Sequence, residues 1–255
     1  MLDALPAGIN ISAVFNINTL PDDIRNQLKP FLEADTGFSQ LILLGHGGTD
    51  LWKAIAEQGT DIDSPDPVDD YTLKSLSAWF NARHIKHSFL YPMLPHAHTA
   101  ADKSALKPIH VPLQTLGLLA GWHHSSPMKV GINRQWGLWY AYRAVVLADS
   151  TFPADKQNVE GSSLERVNNS AAVSSSPCDT CSSKPCISAC PADALSEGTL
   201  RFERCAAFRL QPNSPCAQRC LAREACPVAV EHRYSTQQIQ YHYSRSLETL
   251  KRYYT

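Results

Sequence analysis

Residues 178–191 read CDTCSSKPCISACP, and residues 205–227 read CAAFRLQPNSPCAQRCLAREACP. These two stretches hold all eight cysteines of a 255-residue chain, and residues 1–177 hold none. The first set is spaced Cys178-x2-Cys181-x4-Cys186-x3-Cys190-Pro191, and the second Cys205-x10-Cys216-x3-Cys220-x5-Cys226-Pro227. Closely spaced thiols on a turning loop can reach several corners of one metal centre. The proline after each last thiol fixes φ and removes a donor, so the loop ends there. The N-terminus, MLDALPAGINISAVF, carries an acid at Asp3 and no basic region, which predicts no secretory signal and a cytoplasmic chain. Disulfide frameworks belong mainly to exported proteins. Eight thiols crowded into one segment of a cytoplasmic protein are expected to hold metal.

Two four-iron cubanes require eight thiolates. The bacterial two-cluster run is C-x2-C-x2-C-x3-C-P, whose fourth cysteine ligates the other cluster. Here x4 stands where x2 is usual and the second set is stretched, yet no ligand is lost. By analogy with that run, Cys178, Cys181, Cys186 and Cys226 would hold one [4Fe-4S] cluster, and Cys190, Cys205, Cys216 and Cys220 the other. Two structural zinc sites are an alternative, since zinc also takes four cysteines from C-x2-4-C pairs. A disulfide knot is a third. Paired Cys-Pro ends are not a zinc signature and favour the clusters.

Ahead of the cysteines the chain alternates strand-like and helix-like segments. Ile9–Ile17 is β-rich, and Pro21–Leu32 opens with a proline and two acids, as helices do. Gln40–Leu44 suits a buried strand. It runs into Gly45-His46-Gly47-Gly48 and a helix over Thr49–Glu57. A Pro- and Asp-rich loop at Thr60–Asp70 precedes a helix over Tyr71–His84, and Leu113–Trp122 reads as a buried helix. Gly137–Ala148 is aromatic and β-branched and reads as a core strand.

The expected architecture is therefore α+β. It places a first domain over residues 1–152, a linker over 153–176 and a two-cluster module over 177–230. Residues 231–255 would form a helix packing on the first domain.

Two resemblances refine this. CDTCSSKPCISACPADAL, with the later Cys-Pro and its basic neighbours, resembles the ferredoxin-like part of epoxyqueuosine reductases and reductive dehalogenases. In those families two cubanes pass electrons to a cobalamin. The run Trp139–Leu147, with Gln114, Thr115 and Gly121 before it, is similar to the core of the cblC-type cobalamin chaperones. So is Arg233-Tyr234-Ser235 with Gln238 and Tyr241. That family implies a nitroreductase-like α/β domain that removes the upper ligand of cobalamin with reduced flavin or glutathione. This chain departs from it at Leu118, where the family has a histidine. Arg134 stands one residue out of register from a family arginine that binds glutathione.

Other residues carry weaker signals. Gly47 and Gly48 sit where a strand gives way to a helix, where backbone N–H groups can meet an anion or cofactor edge. A tight turn explains the same glycines. His96, His98, His123 and His124 are candidate metal ligands, or ordinary polar residues. Trp136, Trp139 and Tyr140 are residues more often of a core than of a cofactor wall. No Walker loop or dinucleotide fingerprint occurs.

With a formal net charge of −1 and no basic run, nothing argues for nucleic acid as a partner. No apolar stretch is long enough to insert in a membrane.

The function these readings imply is an oxidoreductase-type iron–sulfur protein. Two [4Fe-4S] clusters would deliver electrons to a cobalamin held by the N-terminal domain at Gly47, Gly48, Gln114, Thr115, Gly121, Arg134 and Trp139. The donor would be a ferredoxin, flavodoxin or reductase. The rivals are a plain electron carrier, a cobalamin chaperone without turnover, and a flavin-linked reductase holding FMN.

Overall fold

Gln40–Gly47 (β2) is buried along its whole length, and its neighbours explain why. It lies inside a four-stranded sheet of order β1-β2-β4-β3, flanked by β1 (Ile11–Asn16) and β4 (Tyr140–Ala148), with β3 (His87–Tyr91) outermost. A strand enclosed on both faces reads as a continuous apolar run rather than an alternating one. β1 pairs antiparallel with β2, Ile11 opposite Gly45 and Asn16 opposite Gln40. β3 pairs antiparallel with β4, with an irregularity between Phe89 and Tyr91. The computed structural model describes residues 2–34, 37–59, 66–92, 111–155 and 175–254.

The helices around the sheet follow their apolar spacing. In α1 (Asp22–Ala34), Asp22 and Asp23 occupy the positive first turn, while Ile24 and Leu28 are fully buried one turn apart. In α2 (Asp50–Glu57), Leu51, Trp52 and Ile55 are buried. α3 (Pro67–Asn81) starts earlier than the sequence predicts, because Pro67 opens it and Asp69 and Asp70 fill its first turn. It stops at a turn in which His84 takes a φ of 55°. α4 covers Leu113–Leu119. β3 was not foreseen; it is a short strand whose side chains are mostly half-buried.

Gln40 knits this unit together. Its side chain donates to Asn16 Oδ1 and to the Phe152 carbonyl, and accepts from Ser150 Oγ at 2.7 Å and from the Phe152 N–H. A buried amide at 3% exposure is tolerable because it is satisfied on both sides.

The described chain forms two compact units. The first is Met1–Gly121 with Ala141–Ser174, and the second is Trp122–Tyr140 with Ser175–Thr255. The second unit has little regular structure. It contains helices Pro185–Ser188, Phe202–Leu210 and Leu221–Glu224, a two-stranded pairing of Leu195–Ser196 with Thr199–Leu200, and the terminal helix Thr236–Tyr254. That terminal helix, expected on the first domain, is grouped with the cysteines and packs against Phe202–Leu210.

The chain is thus a mixed α and β protein, as expected. Residues 122–140 form a folded-back excursion, with isolated bridges at His124–Ile132 and Asn133–Gly137. Asn133 pins it: its Oδ1 accepts from the N–H groups of Gln135 and Trp136, and its Nδ2 donates to the Trp122 carbonyl.

Candidate metal centre

The eight thiols sit on turns and helices of the second unit, and all are free. Cys178 begins a turn that Ser176 Oγ caps by accepting its N–H at 3.1 Å. Cys186 lies in the helix Pro185–Ser188, and Cys190 follows its end. Cys205 lies in Phe202–Leu210. Cys220 caps Leu221–Glu224, its sulfur accepting the Arg223 N–H at 3.4 Å. Cys226 follows that helix, and its N–H donates to the Arg223 carbonyl. Backbone N–H groups of Ile187, Leu221 and Val228 are also directed at the thiols of Cys186, Cys216 and Cys226. Such donors favour sulfur in its anionic form.

Burial is the largest influence on five of the thiols, and it pushes each upward: Cys178, Cys186, Cys205, Cys216 and Cys226. Neighbouring thiols push further. Cys178 feels Cys226 and Cys181, Cys186 feels Cys226, Cys178 and Cys181, and Cys226 feels Cys181. Cys205 feels Cys220, Cys190 and Cys216, while Cys216 feels Cys220 and Cys190. The thiols named for each of these five all belong to its own set, while the cluster around Cys186 also takes in Cys190 and Cys220. Crowded, buried thiols of this kind shed their protons when a metal supplies the balancing charge.

Each set has apolar walls. Cys226 packs with Ile132 and Leu138, joined by Met128, Cys178 and Val228. Cys186 packs with Leu195 and Ala222, joined by Met128, Ile187, Cys190, Leu200 and Cys220. A cavity of about 250 Å³ has Cys190, Cys205, Cys216 and Cys220 all in its lining. Among the described residues, no three His, Cys, Asp or Glu side chains are placed to hold a single metal ion. A cubane spreads its thiolates over four irons, so its ligands stand wider apart than those of one zinc. Four thiols around one cavity fit that wider demand.

The other candidate residues are divided between the units. Gly47, Gly48, Gln114, Thr115 and Gly121 belong to the first, Arg134 and Trp139 to the second. The N–H and carbonyl of Gly47 are both bonded to the Asn10 side chain, and Gly48 turns the chain at a φ of 74°. Gln114 is exposed on α4, and Thr115 is half-buried there. Gly121 follows α4 at a φ of 72°. Arg134 is exposed and donates to the Ser175 carbonyl and hydroxyl.

Trp139 has no exposed surface. The Arg223 guanidinium lies 4.6 Å from its ring centre, and the Tyr234 ring is 5.4 Å away. His123 and His124 are adjacent in the excursion, and burial lowers the His123 pKa, with His124 adding to it. His96 and His98 lie outside the described residues, as does most of the linker.

Two residues that the sequence reading passed over stand beside the second set: Arg209 and Tyr243 both line its cavity. A signal was present for Arg209. It follows Cys205 by four residues in one helix, a spacing that stacks both on one face.

No family model matches the chain. No curated protein matches it either. Among solved structures it is similar to epoxyqueuosine reductase from Bacillus subtilis, with a TM-score of 0.44 and 12% identity over 90% of this chain and 64% of that one. A crystal structure of epoxyqueuosine reductase with an epoxyqueuosine-modified tRNA-Tyr stem loop gives a TM-score of 0.43 and 12% identity, over 91% and 65% of the two chains. The Streptococcus thermophilus epoxyqueuosine reductase gives 0.42 and 11%, over 87% and 63%. This chain thus spans less than two thirds of the length of those proteins.

Proposed function

We propose that the second unit is a ferredoxin-like module carrying two [4Fe-4S] clusters, and that the protein moves single electrons in an oxidoreductase system. One cluster would sit on Cys178, Cys181, Cys186 and Cys226, the other on Cys190, Cys205, Cys216 and Cys220. The observation that carries the reading is the separation of the thiols into two mutually interacting sets, the second gathered around one cavity. A bound four-iron cluster takes up and gives back one electron at a time. The chain's share is to aim backbone N–H groups at the sulfurs, to wall the thiols with apolar side chains such as Met128, and to hold the crossed cysteine Cys226 near Cys178.

The recipient that the sequence resemblances favour is a corrinoid on a nitroreductase-like first domain. Trp139 is enclosed and offers it no ring face. Anaerobic titration of the loaded protein with cob(II)alamin, followed by the cobalt EPR signal, tests this part separately. An unchanged signal at saturating protein leaves a plain electron carrier.

The clusters are tested first. Anaerobically reconstituted protein is expected to hold about eight iron and about eight acid-labile sulfide per chain. Cys226→Ala and Cys216→Ala should each remove one cluster and leave survivors with different EPR signals. Identical survivors would defeat the partition, and about two zinc per chain with no visible absorption would defeat the clusters.

A further inference from the structure

Arg209 is a buried cation of unusual company. Its side chain is 8% exposed in a helix that also carries Cys205. Nε donates to the Cys216 carbonyl at 3.1 Å, Nη2 to the carbonyls of Ala217 and Tyr243, and Nη1 to Ser246 Oγ at 2.9 Å. None of its described partners is a carboxylate. A buried charge is costly unless an opposite charge answers it, and carbonyl dipoles alone supply no net charge. The groups that could are the thiols of the cavity it lines, and it acts electrostatically on Cys205 and Cys216.

Tyr243 completes the surround. It comes from the terminal helix and lines the same cavity, and its hydroxyl lies beside both the Arg223 guanidinium and the Cys220 sulfur. The Arg209 guanidinium stands 5.2 Å from its ring centre. A tyrosine hydroxyl is an O–H donor at neutral pH.

We propose that Arg209 and Tyr243 form a fixed counter-charge and donor cage that raises the reduction potential of the cluster held by Cys190, Cys205, Cys216 and Cys220. The inference rests on the two-cluster reading. Each one-electron reduction adds negative charge to a cluster, and a nearby cation or a donor to its sulfur stabilises the reduced form more than the oxidised one. The same bonds tie the Cys216–Ala217 loop to the terminal helix, so the charge cannot move away as the cluster changes state. Arg209 and Tyr243 are therefore positioning residues, which line the thiol cavity and touch no substrate.

The test is an anaerobic potentiometric titration with dithionite as the electron source, read by EPR. Wild-type iron and sulfide content decides the two-cluster reading beforehand, so the two ideas fail separately. Cys205→Ala, which removes the second cluster, identifies the first cluster's midpoint. In Arg209→Gln the other midpoint is expected to fall while the first stays fixed. Both midpoints unchanged, or both moved alike, overturns the proposal. Arg209→Lys should recover part of the shift by restoring charge without the planar fork. If Arg209→Gln does not retain its second cluster, Tyr243→Phe decides, since it removes one hydroxyl and no charge. The same one-sided fall supports the cage, and an unmoved second midpoint overturns it.

Discussion

The two units reach stability by different means. The first buries Phe15, Leu41, Ile42, Leu43, Leu44 and Phe80 with no exposed surface, and contains no cysteine. Apolar area of that kind drives folding without help. In the second, the small buried clusters around the thiols are built partly from the thiols themselves: Cys226 with Ile132 and Leu138, and Cys186 with Leu195 and Ala222. Two of its helices have only four residues, too short to be stable alone. A hydrophobic core is self-sufficient, whereas a core built partly of thiols would, on the two-cluster reading, depend on what those thiols hold.

The sharpest way to break this comparison is to strip the proposed clusters from reconstituted protein. Anaerobic chelation should abolish hydrogen-exchange protection across 178–227 and leave β2 protected. Simultaneous loss in both units would show that the first leans on the second after all. Leu43→Ala comes next and tests the opposite side. Truncating a fully buried leucine costs about 2–5 kcal/mol, which should lower the unfolding midpoint of the first unit while iron content stays at the wild-type level. Lost iron would deny the independence.

Gly137→Ala probes how tightly the excursion is fitted to the cysteine loop. Gly137 has a φ of 56°, and an added Cβ would stand 2.4 Å from the Val228 carbonyl oxygen. Left-handed strain of ~1–2 kcal/mol and overpacking of ~1–3 kcal/mol should fall on the second unit alone. Faster loss of the 400-nm cluster absorbance in air is the readout, and an unaltered rate counts against the fit.

The smallest effect concerns pH. Burial, then His124, holds His123 below its ordinary value of 6.5. As pH falls through about 6.5 the unfolded chain takes up the proton first, so this contribution to stability is present above that pH and is lost below it. Denaturant melts of the second unit at pH 7.5 and 5.5 should differ less in His123→Gln than in the wild type. Equal differences would remove His123 from the account.

Much of the first unit was legible in the sequence. Gln40–Leu44 announced a buried strand because four consecutive residues, Leu41–Leu44, leave no polar face, and Asp22 and Asp23 marked a helix start. β3 was missed because His87–Tyr91 is short and half-buried, a pattern that a loop shares. The start of α3 was masked by Pro67 and its acids, which read as loop chemistry until the following helix claims them.

In the second unit the cysteine spacing was legible and its surroundings were not. Arg209 and Tyr243 meet around one cavity although 34 positions separate them. No local pattern announces a contact across that distance. Trp139 shows the converse. Its place in the run that resembles cobalamin chaperones offered it as a cofactor contact, but its ring is covered by Arg223 and Tyr234, which lie far along the chain.

The excursion at residues 122–140 also sets a timetable. Synthesis runs from the N-terminus, so Met128 and Trp139 leave the ribosome before the first thiol of their unit exists. Trp139 must wait for Tyr234, roughly 95 residues later, which is roughly 5–20 s at ~5–20 residues per second. During that interval the sheet can close around β2 while Met128 and Trp139 stand without their later partners. Only when the terminal helix emerges can Arg209 find Tyr243 and Ser246. The nascent protein therefore passes through a stage in which all eight thiols are made while the second set still lacks Tyr243, and on the two-cluster reading that is when a factor delivering iron and sulfide would find that set least enclosed.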